Sequence, residues 1–180
     1  MYTETLREIK KMLRLRMNGE VSASMRAKGL NYPVNFGLDA TSLRELAKRY
    51  EPSVGLSEAL WQHQSRECRI LAGMLFPIEQ LDETKATRWL AECDTLELKE
   101  QLVFNLYQHH PEASVWATHW CGHPDTNVRV QGYLLMMRLL LAKKINSVPS
   151  EVLDRTKKDV QSTDFSVQLH ASRLLERSQI

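Results

Sequence analysis

Three cations recur at matched places in the chain. Arg69, Lys99 and Arg129 lie 30 residues apart. Each follows an apolar or thiol side chain (Cys68, Leu98, Val128), and four positions after that one comes a residue on the same helix face (Ala72, Leu102, Gly132). A fourth segment, Val167-Gln168-Leu169-His170-Ala171, repeats the pattern 39 residues after Val128, with Gln168 in the cation's place. A row of such cations could follow a phosphate backbone. The same position could instead brace neighbouring helices through ion pairs, to Glu67 or Asp125 for example. Residue type and spacing leave both open.

Other groups with chemical potential have simpler readings. His119-Trp120-Cys121-Gly122-His123, with His109 and His110 nearby, brings together five side chains of zinc-ligand type, enough for a four-ligand site. The spacing matches no tetrahedral set, and His109 and His110 point to different faces of one helix, so helix-end histidines are expected, with no metal and no cofactor. Trp116 and Trp120 share a face and could stack on a nucleotide, but a pair this large more often fills a core; Trp61 and Trp89 read the same way. Cys68, Cys93 and Cys121 form no CxxC motif and are expected to be reduced core filler. No Gly-rich phosphate loop, Ser/His/Asp triad or EF-hand occurs.

Elements of this kind must be held by helices. Pro124-Asp125 opens a helix, and Gly132, Leu135 and Leu139 continue the face begun by Val128. With the copies at 68, 98 and 167 this is the inner-helix pattern of a HEAT-like repeat, whose small residue lets two helices approach. Such repeats bury their apolar faces only by stacking. The expected fold is all-α, a HEAT-like α-α superhelix of antiparallel helix pairs, as one domain over residues 1–180; an irregular bundle is the alternative. Helices are predicted over 4–17, 21–28, about 43–50, 52–61, 65–75, 82–91, 95–109, 111–120, 125–144, 149–160 and 164–177, with Ser42 and Glu45 in capping-box spacing and Pro111 at a first helical position.

Composition agrees: 43% hydrophobic and 26% charged residues suit a soluble globular chain. No apolar run is long enough to span a membrane, and the charged start up to Met17 lacks a signal-peptide core, so a cytoplasmic location is expected. The net charge of +2 is unevenly spread. Residues 1–50 carry ten Lys/Arg against five Asp/Glu, and residues 51–100 carry five against ten. The basic start suggests a polyanionic partner.

Asn35-Phe36-Gly37-Leu38, then Leu43-Arg44-Glu45-Leu46-Ala47, then Trp61 and Arg66-Glu67-Cys68-Arg69-Ile70-Leu71-Ala72, resemble the DNA alkylation repair family, the AlkD-type HEAT-like DNA glycosylases. Asn127-Val128-Arg129 continues the likeness, which covers roughly residues 30–145. The resemblance implies a basic concave face that binds double-stranded DNA, and excision of purines alkylated at N3 or N7 without a metal; with DNA as the partner, the repeat spacing makes Arg69, Lys99 and Arg129 the candidate phosphate contacts. The family's active helix carries a Trp-Asp-x-Val-Asp-like run. Here that run is Cys93-Asp94-Thr95-Leu96-Glu97, so Glu97 stands where the carboxylate would stabilise the cationic sugar and Cys93 where the tryptophan would pack on the lesion. No Trp follows Trp120 and no Tyr follows Tyr133 to supply a later aromatic. The alternative function is a noncatalytic HEAT-repeat scaffold for a protein partner.

Overall fold

The computed structural model describes residues 2–178, which form eleven α-helices, two single-turn 3-10 segments and one isolated β-bridge. Contacts gather into two compact units, residues 1–80 and 81–180. Among the described residues no helix is long and apolar enough to cross a membrane.

The first unit contains α1 (Thr3–Leu15), α2 (Gly19–Ala27), α3 (Ala40–Ala47), α4 (Val54–Trp61) and α5 (Arg66–Met74). Helix α1 is amphipathic, and Ile9 and Leu13, one turn apart, are its buried residues. The stretch between α2 and α3 is irregular, as its Pro and Gly residues predict. Gly37 sits at φ 74°, and a side chain there would meet the Ser22 amide nitrogen at 2.9 Å. Only glycine satisfies both conditions. The start of α3 differs from expectation. Asp39, in extended backbone, is the N-cap and accepts from the Ser42 amide at 2.7 Å, so the helix begins one turn earlier than a Ser42 cap would allow. Glu45 is left to pair with Lys48 at 2.6 Å.

The second unit contains α6 (Glu83–Ala91), α7 (Leu96–Asn105), α8 (Ala113–Cys121), α9 (Thr126–Leu141), α10 (Ser150–Asp159) and α11 (Phe165–Ser178). A helix of 9 or 10 residues precedes one of 10, 16 or 14 in each pair. Helix α7 stops short of His109, because Leu106 leaves helical geometry and Tyr107–His109 forms a 3-10 turn. Pro111 is not the first residue of α8. The His110 ring accepts from the Glu112 amide at 3.1 Å, closing a turn around the proline, and α8 begins two residues later.

The repeat register has a local cause. Ser65, Thr95, Asp125 and Asp164 cap α5, α7, α9 and α11, and their side chains accept from the amides of Cys68, Leu98, Val128 and Val167 at 3.4, 3.2, 3.3 and 3.0 Å. The recurring first position is therefore the third residue of each capped helix, where the N-cap side chain finds its donor. These four residues are buried, as are Ala72, Leu102, Gly132 and Ala171 one turn on. The small residue matters most at Gly132. A Cβ there would lie 2.6 Å from the Trp120 carbonyl carbon, so the backbones of α8 and α9 touch because glycine is present.

Candidate nucleic-acid interface

The three spaced cations occupy the fourth residue of α5, α7 and α9, and their surroundings differ. Arg129 is 9% exposed. Its Nε donates to the His123 carbonyl at 3.0 Å, one Nη to the Pro124 carbonyl at 3.1 Å, and the other Nη to the Asp159 carboxylate at 3.3 Å. Asp159 also accepts from the Arg155 Nε at 3.1 Å and from the Tyr133 hydroxyl at 2.7 Å. Burial, then the Asp159 contact, pushes the Tyr133 pKa up, which keeps the phenol a donor. Lys99 is 8% exposed, and its ammonium donates to the Asn127 side-chain oxygen at 2.6 Å. Burial holds the Lys99 pKa below its ordinary value, opposed by Cys93, Asp125, Asp164 and Asp94. Both cations fit the bracing alternative, with partners other than Asp125 and Glu67. Arg69, in the first unit, lies over the Trp61 ring at 5.2 Å.

Glu97 lies in the first turn of α7 and is half-buried. Cys93, four residues earlier, is buried, and its thiol donates to the Trp89 carbonyl at 3.2 Å, so it presents no surface for a base. The Lys99–Asn127 bond, together with a hydrogen bond between the Asp164 and Thr126 side chains, brings the N-terminal ends of α7, α9 and α11 side by side. Asp94, Glu97, Glu100, Asp125 and Asp164 make this end acidic. Burial raises the Glu100 pKa, with Arg173 opposing. One aromatic projects here: Phe165, the first residue of α11, is 74% exposed. It follows the Asp164 cap by one residue, a position that faces outward. A search of the sequence for Trp and Tyr passes over it.

In the first unit the family-like Phe36-Gly37-Leu38 segment proves to be an internal clamp. The buried Glu67 carboxylate accepts from the amides of Phe36 and Gly37 at 3.0 Å each, from Leu38 at 3.4 Å and from Arg66 at 3.1 Å, while Arg66 donates to the Leu38 carbonyl at 2.8 Å. Glu67 thus pairs with its neighbour rather than with Arg69. An open cationic surface of this unit lies on α1. Arg7, Lys10, Lys11 and Arg14 fall at the spacing of one helix face and line a groove of about 660 Å³ with Leu15 and His63. None of the four forms an ion pair among the described residues. Burial, then the nearby Lys10, lowers the His63 pKa, so this imidazole is neutral near pH 7.

The remaining histidines and tryptophans are structural. His110 stacks on Trp116 at 3.9 Å and reaches the Leu81 carbonyl at 3.1 Å; His123 accepts from the Asp125 amide at 3.1 Å; His119 meets Glu83 at 3.3 Å. Among the described residues no group of three or more His, Cys, Asp or Glu side chains could hold a metal ion. Trp116 and Trp120 are buried 5.9 Å apart, with Tyr107 edge-on to Trp120 at 5.5 Å. The Cys68 thiol, pushed by burial up to about 11, is inert as a nucleophile near neutral pH.

A search among curated proteins finds no match. Among solved structures, a protein described as belonging to "a new family of proteins related to the HEAT-like repeat DNA glycosylases with affinity for branched DNA structures" superposes with a TM-score of 0.81 at 16% identity, covering 96% of this chain and 74% of that one. That likeness establishes the HEAT-like repeat fold. The sequence profile of the family described as "DNA alkylation repair enzyme" matches residues 9–176. With nearly the whole chain inside that profile and the helix pairs arranged as the fold requires, the chain belongs to the DNA alkylation repair enzyme family.

Proposed function

We propose that the chain is a DNA-binding member of this family that takes duplex DNA, branched structures included. The observation that carries this reading is the fold likeness over 96% of the chain to a protein with affinity for branched DNA. Excision is a separate question of chemistry. A cationic alkylpurine is already a good leaving group, so a carboxylate beside the sugar could suffice, and Glu97 is the residue proposed for that role. Lys99 and Arg129, buried and bonded, would support DNA binding by holding the helices in register, and half-buried Arg69 is the repeat cation proposed to touch phosphate. Burial of Cys93 where the lesion-facing ring would stand favours binding without efficient excision.

The test is binding of labelled linear duplex and four-way junction DNA by fluorescence anisotropy, alongside release of 7-methylguanine from methylated DNA. Binding of both DNAs that weakens steeply with salt supports the reading. If base release occurs, Glu97→Gln is expected to abolish it and leave binding intact. Absence of binding even at low salt sinks the DNA reading and turns attention to a protein partner.

A further inference from the structure

We propose that α1 is a phosphate-backbone contact of this protein: the groove lined by Arg7, Lys10, Lys11 and Arg14 receives one strand of a DNA partner. This deepens the DNA-binding reading and rests on it. Four observations carry the site. The four cations lie at i, i+3, i+4 and i+7, one continuous stripe. The stripe runs about 10 Å along the helix at about 1.5 Å per residue, a length over which one strand presents about three phosphates at about 3.4 Å each. Arg7, Lys11 and Arg14 are exposed, and no carboxylate among the described residues neutralises any of the four in an ion pair. Glu8, an acid on the same helix, is hydrogen-bonded to Tyr50 instead.

An anionic membrane surface is the competing polyanion, because basic amphipathic helices also bind bilayers. The packing argues against it. Membrane-surface helices insert their apolar face, and here that face, Ile9 and Leu13, is already buried in the protein. Only Leu15 and Met17, at the C-terminal end, are large exposed apolar side chains nearby. What remains open is charge around a groove, the form a nucleic-acid backbone fits. Two of the three repeat cations cannot serve in their place, since Lys99 and Arg129 are buried and already bonded.

The experiment compares the full chain with Lys11→Gln/Arg14→Gln and with Lys157→Gln/Lys158→Gln, an equally charged pair of changes on the exposed face of α10. All six forms of the measurement, three proteins on linear duplex and on junction, are titrated at several salt concentrations, with thermal melts to verify folding. The α1 variant is expected to lose affinity for every sequence alike and to show a log–log salt slope shallower by about 1.8, at about 0.9 per lost phosphate contact. The α10 variant is expected to track wild type. If wild type binds DNA and the α1 variant binds with unchanged slope, the α1 proposal is overturned while the DNA reading stands. If wild type binds no DNA, both fail. If wild type binds phosphatidylserine vesicles more tightly than DNA and the α1 variant loses that binding alone, the groove is a membrane contact and the proposal is overturned.

Discussion

Arg129 and Arg14 are both guanidinium groups on helices of this chain, yet they live in different solvents. Arg129 is enclosed, with every bonded partner inside the second unit: two carbonyls at the turn before α9, and the Asp159 carboxylate on α10. Arg14 stands on α1 in an open groove beside Lys10 and Lys11, with no carboxylate to pair with among the described residues. Arginine's planar fork suits either post. Burial decides which. A buried cation must be paired or it costs several kcal/mol, so it becomes a brace committed to its neighbours. An exposed, unpaired cluster does nothing for the fold and raises local potential, so it is available to a polyanion.

The largest effect that separates the two is expected at Arg129. Arg129→Met leaves Asp159 with Arg155 and Tyr133 but removes one charge partner from a buried carboxylate and strips donors from two carbonyls. The loss should be about 3 kcal/mol, the low end for breaking a buried pair. Urea unfolding measures it, and the DNA salt slope should stay at the wild-type value. A variant as stable as wild type that binds DNA with a shallower slope would make Arg129 a phosphate contact and erase the contrast. Next comes Gly132→Leu, one turn along α9. The backbone of α8 occupies the space a side chain needs, so overpacking should cost about 1–3 kcal/mol. An unchanged melting temperature would mean that α9 is not the packing element it is taken for.

How much of this the sequence disclosed depends on which interaction sets the feature. The four inner helices were legible because the cap, the apolar third residue and, in all but α7 with its Leu102, the small seventh residue are local, spaced by helix geometry alone. Where a competing local interaction intervened, the boundaries moved: Asp39 outcompeted Ser42 as a cap, and the His110 ring turned the chain around Pro111. The cation triplet was visible, but its role was not. Whether Arg129 faces water depends on Asp159, 30 residues away, and spacing carries no information about that partner. Glu67 teaches the same lesson in the first unit, since its ligands are backbone amides of a loop 29 to 31 residues earlier. The α1 stripe was seen only as excess charge. What separates it from an ordinary solvated face is the lack of carboxylate partners and the groove, both tertiary facts.

The smallest and most diagnostic effect is expected at Lys99. Its ammonium is buried against Asn127, and desolvation, the leading cause, depresses its pKa, only partly offset by Cys93, Asp125, Asp164 and Asp94. Burial of the ammonium is a penalty set against one hydrogen bond. Lys99→Met should therefore lie within about 1 kcal/mol of wild type at neutral pH. The sign changes the picture at alkaline pH. Between the depressed folded value and about 10.4, the ordinary lysine value, the unfolded chain holds the Lys99 proton more tightly than the folded protein does. Wild-type stability at this site then rises with pH, because the penalty fades as the buried amine loses its charge. Tyr107 and Tyr133, whose pKa values burial raises, act in the opposite direction in the same range, so the absolute curve is uninformative. The difference between wild type and Lys99→Met cancels the tyrosines. That difference should move in favour of wild type as pH rises toward about 10.4, read by urea midpoints at each pH. If the Lys99 difference is flat, its ammonium is not desolvated by the fold, and the distinction between inner and outer cations fails at that position.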